Sequence, residues 1–154
     1  MGWISLSLRK QTLKAGIANE ELRLLQISRQ VRGIQRQLSY DKSVFTRDKN
    51  VELAEASEEY DNLRENRPSL DDDDYDEWKV DYDDARIEYE REKVEINEYY
   101  DQIMSDLEQE AQDTQTALED EQATVEAQKS AMEAELQSVS EAIQSEIENS
   151  AIKF

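Results

Sequence analysis

Apolar residues recur along the first third of the chain at alternating spacings of three and four. The row runs from Trp3 to Phe45, and its polar interruptions are Lys10, Glu20 and Asp41. This is the spacing of a heptad repeat. It continues for about six heptads, which is more than the three or four needed to predict a coiled coil. The full row is Trp3, Leu6, Lys10, Leu13, Ile17, Glu20, Leu24, Ile27, Val31, Ile34, Leu38, Asp41 and Phe45.

A second row follows the same spacing on another face of the predicted helix. It consists of Ile4, Leu8, Gln11, Ala15, Ala18, Leu22 and Leu25, and continues as Arg29, Arg32 and Arg36. One partner helix can cover only one of two such faces. Either a neighbouring part of the same chain folds over the second face, or the face contacts another molecule. The residues predicted to carry that docking or oligomerisation are Trp3, Ile4, Leu6, Leu8, Leu13, Ile17, Leu22, Leu25, Arg29, Arg32 and Arg36.

The chain contains one proline, Pro68, which lies in the sequence Asn66-Arg67-Pro68-Ser69-Leu70-Asp71. Proline lacks an amide donor and disfavours helical angles in the preceding residue. Ser69 or Asp71 could cap a following helix, because short polar side chains are preferred there. We therefore predict a first helix over about 3–66, a turn at 67–71 and a second helix over about 72–150. Low helix propensity near 40–50 suggests a softer break in the first helix.

The second predicted helix opens on an aromatic row at the same spacing, beginning Tyr75, Trp78, Tyr82 and continuing to Tyr99. Further along, apolar residues recur at eleven, which is typical of a straighter winding. The predicted fold class is all-α: residues 1–154 form a single elongated domain, a long antiparallel coiled-coil helical hairpin. The eleven-residue series is Ile103, Thr114, Val125, Leu136 and Ile147.

Charge is divided unequally along the 154 residues. Residues 1–50 carry ten Lys/Arg and four Asp/Glu, a net charge of +6, whereas residues 51–154 carry eight and 34, a net charge of −26. Folding about the predicted turn would place basic side chains opposite acidic ones. The excess of negative charge disfavours nucleic acid and anionic membranes as partners. The expected facing sets are Arg29, Arg32 and Arg36 against Asp101, Asp106 and Glu108.

The side chains that usually carry catalysis are scarce. The chain has no cysteine and no histidine, which removes disulfides, the usual zinc ligands and histidine acid–base chemistry. Asp72, Asp74 and Asp76 have the spacing that opens a calcium-binding loop, but Glu77 stands where that loop needs glycine. Ser39 and Lys42 match a Ser-x-x-Lys string without its companion motifs. We therefore predict no enzyme activity, no catalytic residue, no cofactor and no metal.

No apolar stretch is long enough to span a membrane, which predicts a soluble protein. We expect a cytoplasmic location, with export as the alternative. The predicted function is that of a non-enzymatic structural or adaptor protein that associates with itself or with another helical protein. In length and architecture, and without a shared motif, the chain resembles the stalk proteins of flagellar and type III export machines. That resemblance implies a secretion-apparatus component or an exported helical hairpin. A phage or other assembly scaffold is a further alternative, as is peripheral membrane docking of the N-terminal helix through Trp3, Ile4, Leu6 and Leu8 beside Arg9, Lys10 and Lys14.

Overall fold

The computed structural model describes residues 2–152 and contains two α-helices within that range. Helix α1 is Trp3–Glu65 and helix α2 is Tyr75–Ile152. The two helices pack against each other, so the fold is the predicted all-α helical hairpin. The chain forms two compact units. The first unit combines the chain up to Gln35 with the chain from Gln112 onward, and the second unit is Arg36–Ala111.

The inner seam of α1, meaning the row of side chains that faces α2, is the predicted heptad row. Every position of that row from Leu6 to Phe45 is buried or half-buried, including its polar members. Leu13 and Ile27 are the most deeply buried, with 2% and 0% of their surface exposed. Packing of a continuous apolar row stabilises such a helix more than intrinsic propensity does.

Helix α1 is continuous through residues 40–50, and the softer break suggested by propensity is absent. Val44, Phe45, Asp48 and Lys49 are half-buried on the side facing α2. Helix propensities differ by less than about 1 kcal/mol per residue. Tertiary contact at these positions therefore outweighs the weak local preference for another conformation.

A side chain of α2 supplies a hydrogen-bond donor to one of the last backbone carbonyls of α1. The last carbonyls of a helix lack partners within it. The amide of Asn66 donates to the carbonyl of Asn62 at 3.1 Å, and the indole Nε1 of Trp78 donates to the carbonyl of Leu63 at 2.8 Å. Trp78 thus caps one helix while it belongs to the other.

Helix α2 begins at Tyr75, three residues later than predicted. The Ser69 amide donates to Oδ2 of Asp72 at 2.9 Å, and the Asp72 amide donates to the Ser69 carbonyl at 3.0 Å. These reciprocal bonds hold the acidic run in turns rather than in a first helical turn. The Trp78 amide donates to the carbonyl of Asp74 at 3.0 Å. Asp74 therefore occupies the N-cap position, not Ser69 or Asp71.

The aromatic row at the start of α2 is half-buried against α1, as the spacing predicts. The row departs from the prediction at Tyr99, which is exposed, whereas its neighbour Tyr100 is buried. The eleven-residue series holds only in part, because Ile103, Val125 and Leu136 are buried or half-buried whereas Thr114 and Ile147 are exposed. Steps of three and four keep one continuous seam towards a single partner helix. The half-buried or buried positions of that seam include Leu107, Ala111, Leu118, Val125, Met132 and Val139.

Candidate functional site

An exposed apolar face lies on α1 in the first unit. We call it the outer face, and it consists of the predicted second row. All of its members are exposed, with Ile4 62%, Leu8 61% and Leu22 59% accessible to solvent. No segment within residues 2–152 covers it, so the alternative that a neighbouring part of the chain folds over this face is wrong. The outer face comprises Ile4, Leu8, Gln11, Ala15, Ala18, Leu22 and Leu25.

The outer face points away from α2. Each of its members follows a member of the inner seam by one or two residues in the sequence. With 3.6 residues per turn, offsets of one and two residues correspond to about 100° and about 200° around the helix axis, so the middle of the outer face lies about 150° from the middle of the inner seam. Of the predicted docking residues, Leu6, Leu13 and Ile17 are half-buried or buried in the inner seam. Their side chains are engaged with α2 and do not contribute to the outer face.

Trp3 occupies the first position of the inner seam but is not covered by α2. Its side chain is 59% exposed, and it lines a shallow groove with Glu146, Ile147 and Ser150. Ile147 is 60% exposed in the same groove. The beginning of α1 and the end of α2 therefore add apolar surface beside the outer face.

The basic residues that continue the outer row are also exposed. Arg32 donates to the carbonyl and hydroxyl oxygens of Ser28, one turn earlier in the same helix. Within residues 2–152, Arg29 and Arg36 have no side-chain partner. The predicted pairing of these arginines with Asp101, Asp106 and Glu108 is wrong, because the arginines lie on the side of α1 that faces away from α2.

Other basic residues form the ion pairs between the helices. In the first unit, Arg9 donates to both carboxylate oxygens of Glu135, at 2.7 and 2.8 Å. The hydrogen bond with Arg9 lowers the pKa of Glu135, and the same bond raises the pKa of Arg9. A guanidinium that grips both oxygens fixes direction and register as well as proximity.

Further cross-helix pairs repeat this antiparallel arrangement within each unit. Arg23 pairs with Glu121 in the first unit, and Lys49 lies 3.4 Å from Asp101 in the second. Exposed ion pairs of this kind add little stability, but they penalise alternative registers. Two further cross-helix pairs are Lys129 with Glu21 at 3.4 Å and Lys42 with Glu108.

A cluster of aromatic rings lies near the turn, in the second unit. Tyr60 stacks on Tyr89 with ring centroids 5.6 Å apart, and its hydroxyl lies 3.0 Å from that of Tyr82. Trp78 stacks on Tyr82 at 5.0 Å, and Arg67 lies over the Trp78 ring at 5.8 Å. These rings contact one another and pack α1 against α2 near the turn. An open groove beside the cluster is lined by Arg64, Arg67, Tyr75, Trp78, Lys79, Tyr82 and Asp83.

Gly16 lies where α1 and α2 approach each other closely in the first unit. A Cβ atom at that position would lie 2.7 Å from Sδ of Met132. The spacing of apolar residues alone does not identify this close approach at Gly16. A glycine adjacent to a seam position and opposite a large apolar residue is the signal that could have identified it.

The acidic residues show no arrangement suited to a metal ion. Within residues 2–152, Asp72, Asp74 and Asp76 included, no group of three or more acidic side chains is placed to bind one. Neither α1 nor α2, over the part of the chain described, has an apolar stretch of the length that a membrane crossing requires.

Comparison with known proteins finds no relative from which a function could be transferred. No protein-family model, no curated protein and no solved structure matches the chain. A function is therefore inferred from the outer face, the ion pairs and the distribution of charge.

Proposed function

We propose that this chain is a non-enzymatic structural or adaptor protein that binds another helix through the outer face of α1. The observation that carries the proposal is the contrast between the two rows of α1. The inner seam is covered from Leu6 onward, whereas four large apolar side chains of the outer face are exposed. An exposed apolar stripe on a helix is stabilised when a partner's apolar surface covers it.

The charge of the N-terminal segment suits it to contact with a protein. Residues 1–25 contain four basic and two acidic residues, a net charge of +2, in a chain whose net charge is −20. Like-charge repulsion is therefore smallest where the outer face lies. The acidity of the remaining chain disfavours nucleic acid as the partner. A cytoplasmic location is part of the same proposal, with export as its alternative.

The more specific roles differ in the identity of the partner. A secretion-apparatus stalk, an exported hairpin and an assembly scaffold would each use the outer face to bind a helical protein. Membrane docking is different in kind, because the partner would be lipid. Trp3, Ile4 and Leu8 are exposed beside basic residues, but Arg9 is already engaged by Glu135. We therefore favour a protein partner over an anionic lipid surface.

The test is a double substitution at two exposed positions of the outer face, Leu8→Glu with Leu22→Glu. It places charge where a partner would bury leucine, and it leaves the inner seam intact. Helix content by circular dichroism is expected to stay within a few per cent of wild type, because both sites are exposed and Glu is a good helix former. Self-association, or capture of a partner by the purified tagged chain, is expected to be lost.

Val80→Glu with Val94→Glu is the matched control. These positions on α2 are 60% and 54% exposed and lie in the second unit. The control is expected to keep the mass and the partners of the wild type. If the Leu8/Leu22 variant also keeps both, the outer face is not a docking site. Flotation with vesicles, with and without anionic lipid, tests the lipid alternative, and vesicle binding that the Leu8/Leu22 variant loses would replace the protein partner with a membrane.

A further inference from the structure

We propose that the partner of the outer face is a second copy of this chain, bound antiparallel about a two-fold axis at Ala15. This inference rests on the proposed function, because it identifies the occupant of the same face. A two-fold interface requires one surface to be complementary to itself when reversed. The outer face meets that requirement in size, spacing and charge.

The outer face has nearly the same order of large and small side chains in both directions along the helix. Its spacings are four, three, four, three, four and three from Ile4 to Leu25, and large apolar residues stand at both ends. Reversing one copy about Ala15 places each large residue opposite another large residue. The facing pairs are Ile4 with Leu25, Leu8 with Leu22, Gln11 with Ala18, and Ala15 with its counterpart.

Small residues lie at the centre of this arrangement. Ala15 and Ala18 are exposed, and neither would hold two helix backbones far apart. Interaxial distance is set by the side chains at the contact, so alanine permits an approach near the lower limit of 8–10 Å. The leucine and isoleucine pairs at both ends would then interlock on either side of the axis.

The distribution of charge favours the antiparallel arrangement over the parallel one. A parallel, in-register pair would place Arg29 and Arg32 against their own counterparts, which repel. In the antiparallel pair the same two arginines lie beyond the end of the contact and stay in solvent. Lys14 flanks the axis in both copies, and its long stem can carry the ammonium group into water.

The expected size of the interface corresponds to a reversible dimer. From Ile4 to Leu25 the outer face is about 32 Å long, and a helix is ~10 Å across. The contact would therefore bury several hundred Å² per copy, near the lower end of the range for specific interfaces. We expect a dissociation constant on the order of micromolar.

Sedimentation equilibrium across that concentration range is the first test. The mass is expected to rise from one chain to two, and added salt is expected to strengthen the dimer. Each copy carries a net charge of −20, and salt screens the repulsion between copies. Mass that stays at one chain would overturn the second copy as the partner. Association that weakens as salt rises would overturn the outer face as the contact, because it would indicate that the arginines of one copy bind an acidic surface of the other.

Engineered disulfides test the axis, because the wild-type chain contains no cysteine. Ala15→Cys is expected to cross-link to itself at least tenfold faster than Gln30→Cys, an exposed α1 position beyond the contact. Gln11→Cys and Ala18→Cys are each expected to cross-link slowly alone and rapidly when mixed. If each of them instead cross-links with itself as fast as Ala15→Cys does, the pair is parallel and the proposed axis is wrong.

The two proposals fail in different ways. A monomeric wild type without rapid cross-linking at Ala15 removes the dimer alone. If the wild type binds another purified protein and the Leu8→Glu, Leu22→Glu variant does not, docking through the outer face is still supported. Docking itself fails if that variant retains every association of the wild type.

Discussion

The phenol of Tyr100 donates a hydrogen bond of 2.6 Å to Oε1 of Glu52, joining α2 to α1 within the second unit. The hydrogen bond to this carboxylate, reinforced by burial, raises the pKa of Tyr100 to about 12 from an ordinary value of 10.0. The unfolded chain therefore releases this proton at lower pH than the folded chain does. The resulting stabilisation is complete below the unfolded pKa and is lost as pH rises from 10.0 towards the folded pKa.

We expect Tyr100→Phe to flatten the loss of stability at alkaline pH. Thermal unfolding measured at about pH 8 and about pH 11 provides the comparison, because the two conditions lie on either side of the ordinary tyrosine pKa. Absorbance titration of tyrosinate should lose its most alkaline transition. Tyr99→Phe is the matched control, because Tyr99 is exposed, and it should keep the wild-type alkaline loss. Equal flattening in both variants would contradict the role of the Glu52 bond.

The Arg9–Glu135 pair predicts a pH dependence on the acid side. The hydrogen bond from Arg9 lowers the pKa of Glu135 below its ordinary 4.5. The contribution of this pair to the free energy of unfolding is therefore present above that ordinary value and is lost as pH falls through the lowered pKa. Arg9→Gln should return the Glu135 pKa towards 4.5 in a carboxyl-detected NMR titration. Arg47→Gln removes an arginine that contacts Asp48 of its own helix, and it should leave the Glu135 titration unchanged.

The indole of Trp78 predicts a test of the α1 cap. Replacing Trp78 with benzothienylalanine keeps the two-ring shape and removes the N–H that bonds the Leu63 carbonyl. We expect the free energy of unfolding in urea to fall by about 1 kcal/mol, the usual net value of such a bond. The same replacement at the exposed Trp3 should lower the free energy of unfolding by only a few tenths of the loss at Trp78. Equal losses at the two sites would exclude a specific cap.

Two glycines of α1 give a matched pair of substitutions. Gly33 has nothing within 4 Å of an added Cβ, so Gly33→Ala should raise the free energy of unfolding by about 1 kcal/mol through helix propensity. Gly16→Ala should raise the free energy of unfolding by less than Gly33→Ala does, because Sδ of Met132 must move to make room for the added Cβ. In a Met132→Ala background the two gains should become equal. Equal increases in the free energy of unfolding in the wild-type background would show that the Met132 side chain moves aside without loss of stability. Urea denaturation of all six chains measures this cycle.

Much of the fold follows from the spacing of apolar residues alone. The row from Leu6 to Phe45 identifies the buried side of α1, and Pro68 identifies the region where the chain turns. A long heptad pattern determines these features because only one side of a helix can face one partner. The outer face could be predicted in the same way, since its apolar members form a second row at the same spacing.

The details that depend on the opposite helix could not be predicted. A seam can advance by three or by four residues, so the pattern could not distinguish Tyr99 from Tyr100. Only the position of the facing residues decides that step. Likewise, the partner of Arg9 depends on the length of the turn, because Asp72 and its neighbours form turns rather than helix. Each residue added to the turn shifts every facing pair.

Separation along the sequence gives the two ends of the hairpin different kinetics. Trp78 and Leu63 are 15 residues apart, whereas Arg9 and Glu135 are 126 apart. Closing the longer loop first would cost about 2 kcal/mol more in chain entropy. We therefore expect folding to start at the turn and proceed like a zipper towards the termini. Amide hydrogen exchange should be slowest in α2 around Tyr82 and fastest around Leu8. The segment that carries the outer face is thus the last to form and the first to open, and a bound second copy would retard that opening.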